Sequence, residues 1–360
     1  MKILHVITSL RTGGAEKLMV DLLPRLKAKG MEADLLLFDG TDTPFRHDAE
    51  QAGIKVFDLG KGGSVYSPVK LLKLIPYLKR YDVVHTHNTA PQLFAAIGSL
   101  FASVRLCTTE HNTSNRRRRW KWYARIDRWM YSRYKKVICI SQKAEENLRE
   151  FIGAARTEIC TINNGVDIAR YANAIPTEEL ESIAPGSRKI LMVAGFRWEK
   201  DQDTIIKALT SLPEQFHLFL AGDGVRRAEL EAMTQENRLA GRVHFLGIRT
   251  DVPQLLHAAD YIVMSSHFEG LSLSSVEGMS VGKPFLASDV DGLREVVAGA
   301  GILFPHQNDR ILAQEIISLE ESRERYVSIA NACYKRAEEF DIPKMTESYL
   351  NIYNSLNVKG

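Results

Sequence analysis

The chain has 360 residues, of which 45% are hydrophobic and 25% are charged, and its formal net charge is +3. This length exceeds what one hydrophobic core commonly supports, so we expect two domains. The four cysteines show no C-x-x-C spacing, which disfavours a zinc site or a disulfide framework. The first apolar run is too short for a signal peptide, and no run reaches the ~18 residues of a membrane span. We therefore expect a cytoplasmic protein.

Apolar stretches alternate with amphipathic ones through the first half of the chain. A strand is predicted over Lys2 to Thr8, and apolar residues then recur from Ala15 to Leu26 at helical spacing. Strands alternating with helices indicate a parallel sheet covered on both faces. Six further strands are predicted, within 33–38, 55–57, 82–85, 105–109, 137–140 and 158–162.

A turn-rich stretch, residues 163–186, interrupts this alternation and is typical of a linker. The alternation then resumes and ends in a helical segment, residues 309–354. We therefore predict an α/β fold with a first domain over 1–165, a linker over 166–187 and a second domain over 188–342. The strands of the second domain are predicted within 189–194, 217–221, 243–246, 261–264, 284–287 and 301–304.

Polar residues and glycines follow the strands in both halves, where ligands of open parallel sheets bind. Gly13-Gly14 precedes a helix, and this pair either admits a phosphate to free N–H groups or forms a tight turn. Arg197 and Lys200 follow a strand and could stabilise a departing nucleoside diphosphate, or could be a solvated pair. Two such sheet edges, facing each other, predict an interdomain cleft.

Glu269 and Glu277 bracket a serine-rich segment after another strand. Glu277 could bind ribose hydroxyls, or could simply be an acid near a helix N-terminus. The two D-x-D triplets, Asp201-Gln-Asp203 and Asp289-Val-Asp291, stand near no His or acid cluster in the sequence, so we expect no metal site. His111 is interpreted as a hydrogen-bonding or acid–base group.

Taken in order, these motifs resemble those of glycosyltransferase family 4 (group 1), and the resemblance runs nearly end to end. The most specific match is Phe268-Glu269-Gly270-Leu271 followed, after further serines, by Glu277. The supporting matches are Gly13-Gly14-Ala15-Glu16, Val84-His85-Thr86-His87, Thr109-Glu110-His111-Asn112, Asn163-Asn164-Gly165-Val166-Asp167, Gly195 to Lys200, Gly222-Asp223-Gly224 and Gly282-Lys283-Pro284.

The resemblance implies the roles of individual residues. Arg197 and Lys200 would hold the donor diphosphate in place of a metal ion. Glu269 would face the transferred sugar with His111 beside it, and Glu277 would bind the ribose. The other donor contacts would come from Gly14, Gly222, Gly224, Leu246, Ile248, Arg249, Gly270, Leu271, Ser272 and Leu273.

The resemblance also implies the fold and the reaction. Two Rossmann-like parallel-sheet domains would face each other across a cleft (GT-B fold), with helix 343–360 packing back on the first. The enzyme would transfer a sugar, with retention of configuration, from a UDP- or GDP-sugar to a glycan or lipid-linked acceptor. The pathway would be cell-surface polysaccharide or lipopolysaccharide synthesis, and neither a metal ion nor another cofactor would be required.

A basic, tryptophan-rich segment is the most unusual part of the composition. Residues Arg116 to Lys136 carry ten Lys or Arg and one Asp. Such residues suit an anionic membrane surface, so we predict peripheral docking at the inner face of the cell membrane through Arg116, Arg117, Arg118, Arg119, Trp120 and Trp122.

Two other interpretations of this segment remain. A stripe of Trp122, Ile126, Trp129 and Met130 could pack on the first sheet instead, leaving solvated arginines. Nucleic-acid binding is disfavoured, because no nucleic-acid-binding motif accompanies the charge.

Two alternative functions also remain open. A hydrolysing nucleotide-sugar epimerase would share the two-domain fold. A non-catalytic nucleotide-sugar-binding assembly factor would share the binding residues, but it would need no group beside the reacting carbon. Diphosphate release that depends on an acceptor would favour transfer over both.

Overall fold

The computed structural model describes residues 1–11, 13–111, 121–153 and 157–357, without the side chains of residues 121 and 357. It divides into two compact units. The first comprises Met1–Asn164 together with Ile342–Gly360, and the second comprises Gly165–Asp341.

Within the described residues, the first unit contains a seven-stranded sheet in the order β3-β2-β1-β4-β5-β6-β7. Neighbouring strands pair in parallel throughout. Its strands are β1 (Lys2–Ile7), β2 (Glu32–Leu37), β3 (Val56–Asp58), β4 (Val83–His87), β5 (Arg105–Glu110), β6 (Lys136–Cys139) and β7 (Glu158–Thr161).

Helices cover both faces of this sheet, because alternate strand residues point to opposite sides. Ile3 and Ile7 join one apolar cluster, whereas Leu4 and Val6 join the other. The first cluster includes residues of the last helix, such as Tyr349. The helices are α1 (Gly14–Ala28), α2 (Pro44–Gln51), α3 (Pro68–Leu78), α4 (Thr89–Gly98), α5 (Lys121–Ser132), α6 (Gln142–Ile152) and α16 (Ile342–Asn357).

The second unit contains a six-stranded parallel sheet in the order β10-β9-β8-β11-β12-β13, as far as the described residues extend. Its strands are β8 (Arg188–Val193), β9 (Phe216–Ala221), β10 (Val243–Gly247), β11 (Tyr261–Met264), β12 (Phe285–Ser288) and β13 (Ile302–Phe304). Its helices are α7 (Ile168–Ala172), α8 (Glu179–Ile183), α9 (Gln202–Thr210), α10 (Arg227–Glu236), α11 (Val252–Ala258), α12 (Leu273–Met279), α13 (Leu293–Val297), α14 (Asp309–Glu321) and α15 (Arg323–Ala337).

The predicted linker, residues 166–187, differs from what the structure contains. It carries α7 and α8, and Ile168, Tyr171 and Leu180 are buried in the core of the second unit. The turn-forming residues that suggested a linker therefore connect short helices inside that unit. The α/β class with two parallel sheets is confirmed.

No helix among the described residues combines the length and the apolar character that a membrane crossing demands.

Candidate active site

In the second unit, the loops after β8 and β11 bring a lysine and a glutamate together. Lys200 Nζ lies 2.6 Å from Glu269 Oε1, and both side chains are largely buried. Ser266 Oγ donates a second hydrogen bond to the same carboxylate oxygen, at 2.8 Å. Because the two strands are neighbours in the sheet, their carboxyl ends lie at one edge. The ion pair therefore stands where a ligand of this sheet would bind.

Arg197 lies three residues before Lys200 and differs from it in its surroundings. Its side chain is exposed and forms no ion pair within the described part of the chain. The segment from Trp198 to Lys200 makes a single 3-10 turn that places both cations on one loop. An unpaired guanidinium beside a paired ammonium gives this edge a positive group that an anion could reach.

Glycines allow these loops to approach one another closely. At Gly222, where φ is +148°, an added Cβ would lie 2.0 Å from the carbonyl oxygen of Ala194. At Gly292, where φ is +65°, it would lie 1.9 Å from the carbonyl oxygen of Gly270. Gly222 thus lets the loop after β9 meet the end of β8, and Gly292 supports the backbone next to Glu269. The sequence prediction included Gly222 but missed Gly292.

Arg249, a predicted donor contact, is engaged by two carboxylates. Its guanidinium donates to Glu179 at 2.6 and 2.8 Å and to Asp251 at 2.7 and 2.8 Å. These bonds tie the loop after β10 to α8, so the arginine side chain has a structural role in this state. The neighbouring Ile248 is exposed and Leu246 is partly buried.

The serine-rich segment forms the start of α12. Ser272 precedes the helix and Ser275 donates to its hydroxyl at 2.8 Å. Glu277 lies in the second turn and is partly buried. Gly270, Leu271 and Leu273 occupy the chain between Glu269 and this helix, so the predicted donor-binding residues after β11 form one continuous segment.

The aspartates of the two D-x-D triplets have different partners in the structure. Asp203 pairs with Arg226, and Asp289 and Asp291 pair with Arg294. Asp201 is different, because the fold brings two histidines to it. Its Oδ2 lies 3.6 Å from His267 Nδ1, which in turn lies 2.8 Å from His306 Nε2.

These three residues could hold a divalent metal ion, since they offer one oxygen and two imidazole nitrogens. They come from loops after β8, β11 and β13. Their positions in the sequence gave no hint of this, because only the order of strands in the sheet brings the loops together.

In the first unit, His111 follows β5 and joins a buried row of side chains. His87 Nδ1 lies 3.0 Å from His111 Nε2, and His87 Nε2 lies 3.1 Å from His5 Nδ1. The row continues through Tyr353 to His85, Thr109 and Tyr349. His85 and His87 belong to a motif that the sequence analysis named, whereas His5 and the two tyrosines of α16 were not predicted to join them.

Burial keeps these histidines neutral near pH 7. Desolvation lowers the pKa of His5 to about 3 and the pKa of His111 to about 4. It also lowers the pKa values of His85 and His87 well below the ordinary value, and neighbouring histidines add to that effect. Of the four, His111 alone keeps partial exposure to solvent. A neutral imidazole at this edge can donate or accept a hydrogen bond but carries no charge.

Gly14 is the first residue of α1, which thus begins one residue before the predicted helix, and an added Cβ there would meet no atom within 4 Å. Tight packing therefore does not account for this glycine.

The basic segment is described in part. Arg116, Arg117, Arg118, Arg119 and Trp120 lie outside the described residues. On α5, Trp122 is 61% exposed, while Ile126 and Trp129 are each 38% exposed. Met130 is buried, so the stripe is covered at Met130, partly covered at Ile126 and Trp129, and mostly exposed at Trp122.

Two family models match this chain and together cover most of it. The model for glycosyl transferases group 1 matches residues 177–336, and the model for glycosyltransferase family 4 matches residues 12–170. The chain belongs to the family 4, group 1 glycosyltransferases. The predicted family is therefore confirmed, and so is the assignment as a glycosyltransferase.

Named relatives agree with this assignment. EpsF of Bacillus subtilis, named a glycosyltransferase, is 26% identical over 323 residues, which are 84% of this chain and 82% of EpsF. An Escherichia coli UDP-Gal:α-D-GlcNAc-diphosphoundecaprenol α-1,3-galactosyltransferase is 23% identical, over 81% of this chain and 78% of that enzyme. These matches do not favour the epimerase or the assembly factor.

Solved structures confirm the GT-B fold class. Anabaena HepE in complex with UDP superposes with a TM-score of 0.86 at 26% sequence identity, over 99% of this chain and 100% of HepE. HepE has also been crystallised in complex with UDP-glucose.

Proposed function

We propose that this glycosyltransferase transfers a sugar from a nucleoside diphosphate donor, UDP- or GDP-linked, with retention of anomeric configuration and without a metal ion. The observation that carries this proposal is the arrangement of Arg197, Lys200 and Glu269 at the edge of the second sheet. The relation to HepE, which binds UDP and UDP-glucose, favours uridine as the base.

The departing diphosphate carries several negative charges that must be stabilised as the sugar bond breaks. Arg197 can form a bidentate contact with phosphate oxygens, and Lys200 supplies a second positive charge three residues away. Lys200 is held by Glu269 at 2.6 Å in the present structure. When a diphosphate binds, the ammonium can turn to it, and the freed carboxylate then faces the transferred sugar.

The remaining donor contacts follow from the same segments. Glu277 would accept hydrogen bonds from the ribose hydroxyls. The backbone of Gly270 and Leu271, with Ser272 and Leu273, would line the phosphates, while Gly222, Gly224, Leu246 and Ile248 would surround the base. In the first unit, Gly14 would approach the diphosphate and His111 would contact the sugar.

A donor screen with the purified full-length protein tests this proposal. UDP- and GDP-sugars are supplied with and without a lipid-linked glycan acceptor, and diphosphate release is measured in EDTA. We expect release from one donor class that rises when the acceptor is present. Equal release with and without the acceptor would instead indicate hydrolysis, and a requirement for a divalent ion would contradict the metal-free route.

The acceptor is proposed to be a glycan or lipid-linked molecule of cell-surface polysaccharide or lipopolysaccharide synthesis. A relative, the galactosyltransferase of Escherichia coli, is named for a diphosphoundecaprenol-linked acceptor. The exposed Trp122, Ile126 and Trp129 on α5 stand beside exposed Arg125 and Arg128. Aromatic rings with arginines suit the headgroup region of an anionic membrane, so we propose peripheral docking through this face.

A further inference from the structure

The row of buried side chains behind His111 is a continuous hydrogen-bond chain. It runs from Tyr349 to Thr109 (3.3 Å), His85 (2.8 Å), Tyr353 (2.6 Å), His5 (3.2 Å), His87 (3.1 Å) and His111 (3.0 Å). The ring planes of His5 and His87 are nearly parallel, at 11° to each other, and the ring centroids are 5.4 Å apart. Since their nitrogens are only 3.1 Å apart, the two rings meet edge to edge, as an N–H···N bond requires.

His5, His85 and His87 converge closely enough to be considered as metal ligands. Hydrogen bonding explains the positions of these three histidines better than metal binding does. Both ring nitrogens of each histidine already face a partner in the chain, and all three rings are fully buried. A metal ion would have to displace those partners and would find no solvent-exposed coordination position.

The number of protons restricts how this chain can be arranged. Because each imidazole is neutral, it has one N–H and one lone pair, and each hydroxyl has one proton. The seven groups therefore bring seven protons to six contacts. One proton is left over. An inner histidine cannot hold the leftover proton. Both of its nitrogens face partners in the hydrogen-bond chain, so its single proton already lies in one of the six contacts.

The leftover proton must therefore lie on a hydroxyl group or on Nδ1 of His111. Tyr349, Tyr353 and Thr109 are fully buried. Among the described residues, their hydroxyls have no acceptor other than their partners in the hydrogen-bond chain. A buried hydroxyl without an acceptor disfavours an arrangement by roughly 5- to 150-fold. Nδ1 of His111 belongs to the one partly exposed ring and can donate to solvent or to a ligand.

One distance argues the other way. The 2.6 Å contact between Tyr353 and His85 is short for an N–H donor and would suit the hydroxyl as donor. That choice would make His5 donate to Tyr353 and would make His85 donate to Thr109, so a hydroxyl proton of Thr109 or Tyr349 would be left without an acceptor. A buried hydroxyl without an acceptor costs more free energy than an N–H···O contact that is a few tenths of an ångström too short.

We propose that this chain fixes His111 as the Nδ1–H tautomer, so that it donates a hydrogen bond to an oxygen of the sugar and does not act as a base. The chain then runs in one direction: Tyr349 donates to Thr109, Thr109 to His85, His85 to Tyr353, Tyr353 to His5, His5 to His87 and His87 to His111. His87 is the positioning residue, since its Nδ1–H occupies Nε2 of His111. The contact with the sugar rests on the proposed function, whereas the tautomer does not.

The tautomer is measured without substrate, in the full chain labelled with 15N at its histidines. Two-bond 15N–1H correlations at neutral pH report which ring nitrogen carries the proton, and His111→Asn identifies the His111 signals. We expect the Nδ1–H form for His111 and also for His5, His85 and His87. An Nε2–H form of His111 overturns the proposal.

A matched pair of variants at position 87 tests the direction. In His87→Asn the amide nitrogen can replace Nδ1–H as donor, so His111 should keep its tautomer and turnover should fall less than about tenfold. In His87→Asp the carboxylate can only accept, so His111 should change to Nε2–H and kcat should fall at least tenfold further. Equal kcat and equal tautomer in two folded variants contradict the mechanism.

A pair at position 111 tests the role of the ring and remains informative if the His87 variants do not fold. The amide of asparagine places an N–H where Nδ1 stood but cannot act as a base. His111→Asn should therefore retain at least ten times the kcat of His111→Ala. Equal loss in both variants would contradict donation, and unchanged turnover in His111→Ala would remove the contact with the sugar while leaving the tautomer result intact.

Discussion

The edges of the two sheets differ in the charge of their side chains. At the edge of the second sheet, Lys200 and Glu269 form a charged pair and Arg197 remains exposed. At the edge of the first sheet, His111 is neutral and is backed by neutral imidazoles and hydroxyls. Under the proposed function, the charged edge would meet the diphosphate and the neutral edge would meet the uncharged sugar. Desolvation explains the difference, because a buried row of charged histidines would be prohibitively costly.

The largest expected effect is loss of the charged pair. Lys200→Ala removes a cation that would act on the leaving diphosphate and leaves Glu269 without its ion-pair partner, so kcat should fall by roughly 10²- to 10³-fold. Glu269→Gln keeps the shape of the side chain but removes its charge, and kcat should fall by a similar factor. Initial rates with a saturating donor measure both.

Lys207→Ala is the matched control for these variants. Lys207 is an exposed lysine of α9 in the same unit, so its loss changes the net charge equally and should leave kcat within about twofold. An equal loss of activity in Lys207→Ala and Lys200→Ala would show that kcat depends on the net charge of the protein and not on a cation at the edge of the second sheet.

Acid should destabilise the first unit through its neutral histidines. Below pH 6.5 the unfolded chain binds a proton at His5, whereas the folded chain does so only near pH 3, so stability falls as pH is lowered through this window. Each such histidine contributes about 1.4 kcal/mol per pH unit. His5→Gln should reduce the pH dependence of the unfolding free energy by about that amount between pH 6 and pH 4.5.

Urea unfolding at several pH values measures this slope. An unchanged slope in His5→Gln would mean that His5 becomes protonated in the folded state, which would also undo the proton count of the buried chain.

The exposed tryptophans give a smaller effect and a direct comparison between the units. Trp122 on α5 is 61% exposed and Trp198 in the second unit is 60% exposed. Trp122→Ala should weaken flotation with anionic vesicles by about tenfold, because part of a large aromatic surface no longer enters the headgroup region. Trp198→Ala should float as the unchanged protein does. Equal flotation of both variants, or none by the unchanged protein at low salt, would contradict docking through α5.

Periodic elements were predictable from sequence, and elements without apolar periodicity were not. Every strand of both sheets lies close to its predicted position, since each is a short apolar run between turns. Helix α2 was missed because Pro44–Gln51 is polar and only Ala49 is buried. Helices α7 and α8 were missed because each is five residues long and lies among turn-forming residues.

The residues of the candidate site also fall into a predictable group and an unpredictable group. Residues next to each other after one strand, such as Glu269 to Leu273, could be grouped from sequence alone. Asp201, His267 and His306 could not, since three separate loops bring them together. Tyr349 and Tyr353 stand one helical turn apart on α16, and this spacing alone does not show that their hydroxyls complete a hydrogen-bond chain to His111.

We propose that cations of the second unit hold the diphosphate without a metal ion. Calorimetric titration of UDP and of GDP in EDTA, into the unchanged protein, Arg197→Ala and Lys207→Ala, measures this binding. We expect one nucleotide to bind in EDTA, with an affinity at least tenfold lower in Arg197→Ala and unaltered in Lys207→Ala. Binding that appears only when a divalent ion is added, or that Arg197→Ala leaves intact, would contradict it.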